Sequence, residues 1–185
     1  MIGFIVVIFV VEVANSLFSH SLNAYGIVPR TTGGLIGIPL SPLLHGGFLH
    51  VQSNAVGLLA LGGLAAISSG KRFPLVLVTI TLVGGMGVWL VGRSATHVGA
   101  SGLVFGFFGY LLVKGLVDRS ILSVLVAIVV AGVFGLAILS GILPTRGYVS
   151  WEGHLCGLVA GGLVAMMMRK QRGSGRQGSN PGPGM

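Results

Sequence analysis

The sequence predicts an all-α membrane protein that crosses the bilayer six times. Three observations carry this expectation. Of 185 residues, 53% are hydrophobic and only 8% are charged, and the mean hydropathy is +0.97. A soluble domain holds about 25% charged residues, so this chain could not cover a water-facing surface. The apolar residues gather into six runs, most of them near the ~20 residues that a spanning helix needs. The 33 glycines show no three-residue collagen period; in a bilayer they let helix backbones approach closely.

The first run covers roughly Ile2 to Phe18. It has no basic n-region and Glu12 interrupts it, so it reads as a retained helix rather than a signal peptide. The second runs from about His50 to Ile67 and ends at Lys71 and Arg72; the third spans Phe73 to about Val91. The fourth runs from Ser101 to about Val117, ending near Lys114, Asp118 and Arg119. The fifth is Ile121 to Leu143, and the sixth runs from Trp151 to about Met168 before Arg169, Lys170 and Arg172. From Gly173 onward the chain is rich in Gly, Ser and Pro and is expected to be disordered. The organisation predicted is a membrane domain over 1–170 and a cytoplasmic tail over 171–185.

The net charge of +8 does not point to nucleic acid, because the basic residues are few and sit at the ends of apolar runs. They set orientation instead. Lys71, Arg72, Lys114, Arg119, Arg169, Lys170, Arg172 and Arg176 follow the even-numbered runs, whereas Arg30, Arg93 and Arg146 lie on the opposite side. The richer side is predicted cytoplasmic. Both termini are then cytoplasmic, and the loops 17–49, 92–100 and 144–150 face outward across a bacterial-type plasma membrane. The single Cys156 excludes an internal disulfide and a cysteine-rich metal site.

Polar residues concentrate at the outer ends of three runs. The second opens with "HGGFLHVQSN", which holds His45, His50 and Asn54; the last two share a helix face. The fourth opens at Ser101, within "HVGASGLVFG", and the sixth opens with "WEGHLCG", which places His154 about one turn in. All three helices run in the same direction, so these groups meet at one depth below the outer surface. Polar groups there are costly unless they pair or serve a function. A serine beside an imidazole is the smallest kit for nucleophilic catalysis: the ring takes the hydroxyl proton during attack and returns it to the leaving amine. His50 and Asn54 are candidate donors to the developing oxyanion.

The small neighbours of Ser101 fit that role. Gly102 and Gly106 form one GxxxG, and Gly157 and Gly161 form another, so the fourth and sixth helices can pack closely. Gly99 and Ala100 leave the amides around Ser101 uncovered at a helix N-terminus, where the dipole favours an anion. No third triad member is evident. Glu152 is two residues from His154 and points elsewhere, Asp118 is on the cytoplasmic side, and Glu12 lies in the first run. The expectation is a Ser101–His154 dyad.

These residues resemble the rhomboid family of intramembrane serine proteases. The family pattern of H-x4-H-x3-N on the second helix, G-x-S-G on the fourth, and a histidine with glycine three residues later on the sixth has counterparts here. They are His45, His50 and Asn54; Gly99, Ser101 and Gly102; and His154 and Gly157. The resemblance covers about residues 1–170 and implies a six-helix rhomboid-like bundle of the compact bacterial type. It implies that Ser101 is the nucleophile and His154 the general base. It further implies that His50, Asn54 and the Ser101 backbone N–H form the oxyanion hole, with His45 shaping the site. It also implies that the loop 17–49 lies partly in the outer leaflet and that helix five and the 144–150 loop gate and cap the site. One departure stands out: many members carry tyrosine four residues after the serine, where this chain has Phe105.

Among the other polar residues, His97 is expected to make a structural hydrogen bond and His20 to sit in an interfacial loop. Glu12 is expected to bond a neighbouring helix or loop, while Trp151 and Tyr148 mark the outer interface. The function predicted is cleavage of membrane-protein substrates whose transmembrane or juxtamembrane segment is destabilised as a helix, with no metal, cofactor or nucleic acid. One rival is an inactive rhomboid-like binder of membrane helices. The other is a histidine-lined metal or proton transporter, against which stands the absence of an H-x3-H pair, a cysteine pair and a two-fold repeat.

Overall fold

A computed structural model describes residues 1–118, 120–144 and 149–174. The sequence expectations for Arg119, Arg146, Tyr148 and Arg176 fall outside the described residues, as do the side chains of Lys170 and Arg172. The described chain is helical, without strands, and six helices stand where the six apolar runs are. In lipid every backbone polar group must find an internal partner, and a helix meets that demand within one segment.

Helix α1 covers Ile2–Leu17. A long connection follows, made of short helical turns at Ser21–Tyr25, Gly33–Leu35, Gly37–Leu40 and Ser41–Leu43. Helix α2 starts at Phe48, after Gly47 with φ +132°, and runs through Phe48–Gly57, a widened π turn at Leu58–Gly62 and Gly63–Ser69. Gly70, at φ +57°, ends it in a conformation that side-chain-bearing residues rarely adopt. Helix α3 is Phe73–Val91, with Pro74 in its first turn where no hydrogen-bond donor is needed. Helix α4 is Ser101–Asp118. Helix α5 is Ile121–Gly141, capped by the Ser120 side chain, which accepts from the Ser123 N–H. Helix α6 is Trp151–Ser174. The last helix thus continues past Met168 into the stretch 171–185 expected to be a disordered tail; residues 175–185 lie outside the described part.

Among the described residues, four stretches are long and apolar enough to cross a membrane: Phe48–Val91, Ser101–Asp118, Ile121–Gly141 and Trp151–Arg169. The first contains both α2 and α3. Ile2–Leu17 and Gly33–Leu43 are shorter apolar helical segments.

Helix α4 is the centre of the bundle. Leu103, Phe107, Tyr110 and Leu111 are buried against Leu58 and Leu61 of α2 and Val76 and Ile80 of α3. Its tightest partner is α6. A methyl on Gly157 would overlap the Gly102 carbonyl, one on Gly161 the Gly106 carbonyl, and one on Gly109 the Leu158 carbonyl. The two GxxxG pairs therefore meet backbone to backbone. On its other side α6 meets α3, where Gly84 approaches Gly157 and Gly87 approaches Cys156. By contrast α5 is peripheral and packs mainly on α4, leaving Leu125, Val129, Val133 and Leu136 on its outer surface.

Candidate active site

Ser101 is the first residue of α4, and His154 lies in the first turn of α6. The glycine contacts bring these helix starts together. His154 Nε2 is 2.9 Å from Ser101 Oγ. The other ring nitrogen, Nδ1, is 2.8 Å from the Gly141 carbonyl oxygen. A carbonyl only accepts, so Nδ1 carries the proton and Nε2 is left to accept from the serine hydroxyl. Phe105, one turn below Ser101, stacks under the imidazole with ring centroids 4.0 Å apart and planes 10° from parallel. The ring is thus held by a stack on one face and a hydrogen bond at its edge.

Gly141 is the last residue of α5, where carbonyls have no intrahelical donor. A free acceptor therefore faces His154 in the position that a carboxylate fills in a triad. Glycine is needed there, since a methyl would overlap the Phe105 ring and sit 3.3 Å from His154 Nδ1. Sequence reasoning did not single out Gly141, because a backbone acceptor leaves no residue-type signal. The only hint was a glycine at the end of an apolar run.

His50 and Asn54 lie beside Gly99, two residues before Ser101. His50 Nδ1 accepts from the Gly46 N–H at 3.3 Å, which leaves the proton of the neutral ring on Nε2. That nitrogen faces Gly99: a methyl built there would lie 2.7 Å from His50 Nε2 and 3.5 Å from Asn54 Nδ2. Gly99 also holds φ +117°, so both its backbone and its surroundings require glycine. Asn54 is 5% exposed, and its Nδ2 has no hydrogen-bond partner. The Ser101 N–H belongs to the first turn of α4, whose amides have no intrahelical acceptor. His50 Nε2 and Asn54 Nδ2 thus gather at Gly99, two residues before Ser101.

His45 is fully buried behind this edge. Its Nε2 accepts from the Ala100 N–H at 3.4 Å, and its ring meets that of His50 edge to face at 5.1 Å. Burial pulls His45 down to about 4, the nearby His50 adds to the effect, and the Leu43 backbone opposes it. Its carbonyl is held by Asn15 Nδ2 at 3.2 Å and Asn23 Nδ2 at 3.0 Å. Both residues were missed at the sequence level, because neither lies in the runs that carry His45 or Ser101. Glu12 is buried in α1 and pairs with His20 at 3.0 Å. His97 Nδ1 lies 2.6 Å from Ser150 Oγ. A cavity opens beside Ser101 toward α3, walled by Ile38, Ile80, Gly84, Val88 and Gly102. Among the described residues, no group of three or more His, Cys, Asp or Glu side chains converges to hold a metal.

A family model described as the Rhomboid domain matches residues 32–171. The chain belongs to the rhomboid family. An uncharacterized protein of Mycobacterium tuberculosis is 37% identical over 195 residues, covering 98% of this chain and 81% of its own. Another, from Mycobacterium leprae, is 34% identical over 177 residues, covering 91% of this chain and 70% of its own. A Bacillus subtilis protein provisionally named a rhomboid protease is 28% identical over 134 residues, or 70% of this chain and 66% of its own. With its apolar helices, this rhomboid is an integral membrane protein. Ser101, His154, His50 and Asn54 all lie in the matched region, whereas α1, which supplies Asn15, precedes it.

Proposed function

We propose that the chain is an intramembrane serine endopeptidase acting through a Ser101–His154 dyad. The observation that carries this reading is the 2.9 Å contact between Ser101 Oγ and His154 Nε2, made by a ring whose other nitrogen is tied to Gly141. Ser101 Oγ attacks the scissile carbonyl carbon while its proton passes to His154 Nε2. The carbonyl electron pair moves to the oxygen, which the Ser101 N–H, His50 Nε2–H and Asn54 Nδ2–H receive. His154 then protonates the leaving amine, and the C–N bond breaks to leave an ester on Ser101. Water, deprotonated by the same ring, hydrolyses that ester and restores the hydroxyl. His45 supports the site by accepting from the Ala100 N–H next to the nucleophile.

The substrate is a transmembrane or juxtamembrane segment of another membrane protein. Its peptide bond must be extended to reach Ser101, which favours segments destabilised as helices by Gly or Pro. The small cavity beside Ser101 suits a small side chain at the cleavage site. In this reading the chain crosses the membrane six times, with both termini cytoplasmic and the site near the outer face. The connection before α2 lies partly in the outer leaflet, while α5 controls access; the capping expected of the loop 144–150 falls largely outside the described residues. The bundle needs no cofactor or metal for these steps.

Expression with a tagged single-span substrate tests the proposal. Wild type is expected to cut it with or without EDTA, and Ser101→Ala and His154→Ala are expected to abolish cutting. Cleavage that survives Ser101→Ala would end the dyad reading, and loss with EDTA alone would favour metal chemistry.

A further inference from the structure

We propose that Arg93 and His97 are positioning residues for the dyad: from the loop that leads into Ser101, they clamp the first turn of the helix that carries His154. The inference rests on the protease reading above and adds residues to it.

The clamp has two arms. Arg93 contributes its backbone N–H to Glu152 Oε1 at 3.3 Å and its guanidinium to the Val149 carbonyl at 2.7 Å. The same guanidinium faces Glu152 Oε2 at 3.6 Å, an ion-pair distance longer than a hydrogen bond. Glu152 is only 4% exposed, where an unpaired carboxylate would be costly, and Arg93 is the cation that faces it. A first-turn acid gains from the helix dipole wherever it points; burial against an arginine 59 positions away requires a tertiary reason.

His97 is the second arm. Ser150 Oγ accepts from the Gly153 N–H at 3.2 Å, as a helix cap does. Its hydroxyl proton is therefore free for His97 Nδ1, at 2.6 Å. The remaining proton of the neutral ring then lies on Nε2 and donates to the Arg93 carbonyl at 3.1 Å. His97 is itself fixed by a two-way backbone pairing with Ile27, at 3.0 and 2.9 Å. Every polar atom of this arm has one consistent role.

The dyad needs such a device because of how α4 and α6 touch. Their interface is glycine against carbonyl, at Gly102, Gly106 and Gly109 on one helix and Gly157, Leu158 and Gly161 on the other. Backbones come close there, and the glycines themselves supply no side chain to interlock against one helix sliding along the other. The Ser101–His154 contact is 2.9 Å. A slide of about 1 Å would take it past hydrogen-bond length, and a misplacement of that size can cost ~10²-fold in rate. The clamp acts within a few residues of both reacting groups, where it resists sliding most directly.

The test uses the full chain in detergent or vesicles. It measures cleavage of the single-span substrate together with the rate at which a fluorophosphonate labels Ser101. Arg93→Ala is expected to lower kcat and the labelling rate together by ~10²-fold, with KM unchanged within about 2-fold. Arg93→Lys restores the cation and is expected to recover about 10-fold of that loss. Glu152→Gln keeps the side-chain volume and is expected to lose kcat in the same way. The double variant Arg93→Ala/Glu152→Gln is expected to be no worse than the poorer single one, since the two act as a unit. Melting curves identify any variant that fails to fold, and Arg93→Lys and Glu152→Gln then carry the test. Folded variants that label at the wild-type rate, or losses that simply multiply, would overturn the clamp. Wild-type protein that neither cuts nor labels would instead overturn the protease reading.

Discussion

The glycines of the two family motifs are not equivalent, and Gly157→Ala and Gly102→Ala separate them. A methyl on Gly157 would overlap the Gly102 carbonyl oxygen and lie 2.8 Å from its carbon. Carbon atoms rest at roughly 3.5–4.0 Å, so α4 and α6 must part by about 1 Å. The obstacle is backbone in mid-helix and cannot swing aside as a side-chain tip would. The Ser101–His154 contact, 2.9 Å in the native packing, would open beyond hydrogen-bond reach, with an expected rate loss of ~10²-fold. A methyl on Gly102 meets only the Gly153 carbonyl oxygen, at 3.4 Å, an ordinary contact. Gly102→Ala is therefore expected to stay within about 3-fold of wild type, well below the loss for a displaced reacting group. Fluorophosphonate labelling of Ser101 is the assay, because a small probe reports the dyad without needing a substrate helix to dock. Melting in detergent checks that both variants fold. Equal labelling by Gly157→Ala and wild type would refute the claim that backbone contact sets the dyad distance.

Three further outcomes follow from the same geometry. Asn54→Ala is expected to slow cleavage by ~10²–10³-fold while leaving stability within about 1 kcal/mol, because Nδ2 has no partner to lose in the resting protein; a large drop in melting temperature would contradict this. Gly141→Ala pushes a methyl into Phe105 and toward His154 Nδ1, whereas a methyl on Gly135 has nothing within 4 Å. Cleavage is expected to fall sharply for the first and stay unchanged for Gly135→Ala, and parity between them would remove Gly141 from the site. His45 is pulled from its ordinary 6.5 to about 4 in the folded protein. The unfolded chain then binds more protons between those values, so His45 is expected to remove about 3 kcal/mol of stability as pH falls through that window. Melting temperature measured against pH should lose that part of its slope in His45→Gln, and an unchanged slope would refute the assignment.

Much of this arrangement can be read from residue order. Six apolar runs, separated by the loop 17–49, Lys71–Arg72, the loop 92–100, Asp118–Arg119 and the loop 144–150, predict six helices, because a bilayer permits little else. His50 and Asn54 four apart, a serine among small residues and a histidine one turn into the last run place the polar groups at matching helix ends. What escaped were contacts through backbone and between distant loops. The Gly141 and His45 carbonyls leave no trace in residue type. Glu152, set aside because it points away from His154, is bound by Arg93 from another loop. The apolar span of α6 ends at Arg169, close to the expected Met168, and its helical backbone runs on to Ser174.

Composition and run length by themselves determined that this is a helical membrane protein, and the motifs around His50, Ser101 and His154 carried the likeness to the rhomboid family. Those are one-dimensional properties, fixed by hydrophobic run length and helical period. Only the tertiary structure decided that the hydroxyl and imidazole stand 2.9 Å apart, which ring nitrogen bears the proton, and what holds the ring. Such distances depend on how closely two backbones approach at their glycines and on which distant carbonyl ends up beside a side chain. No local pattern in the sequence encodes that.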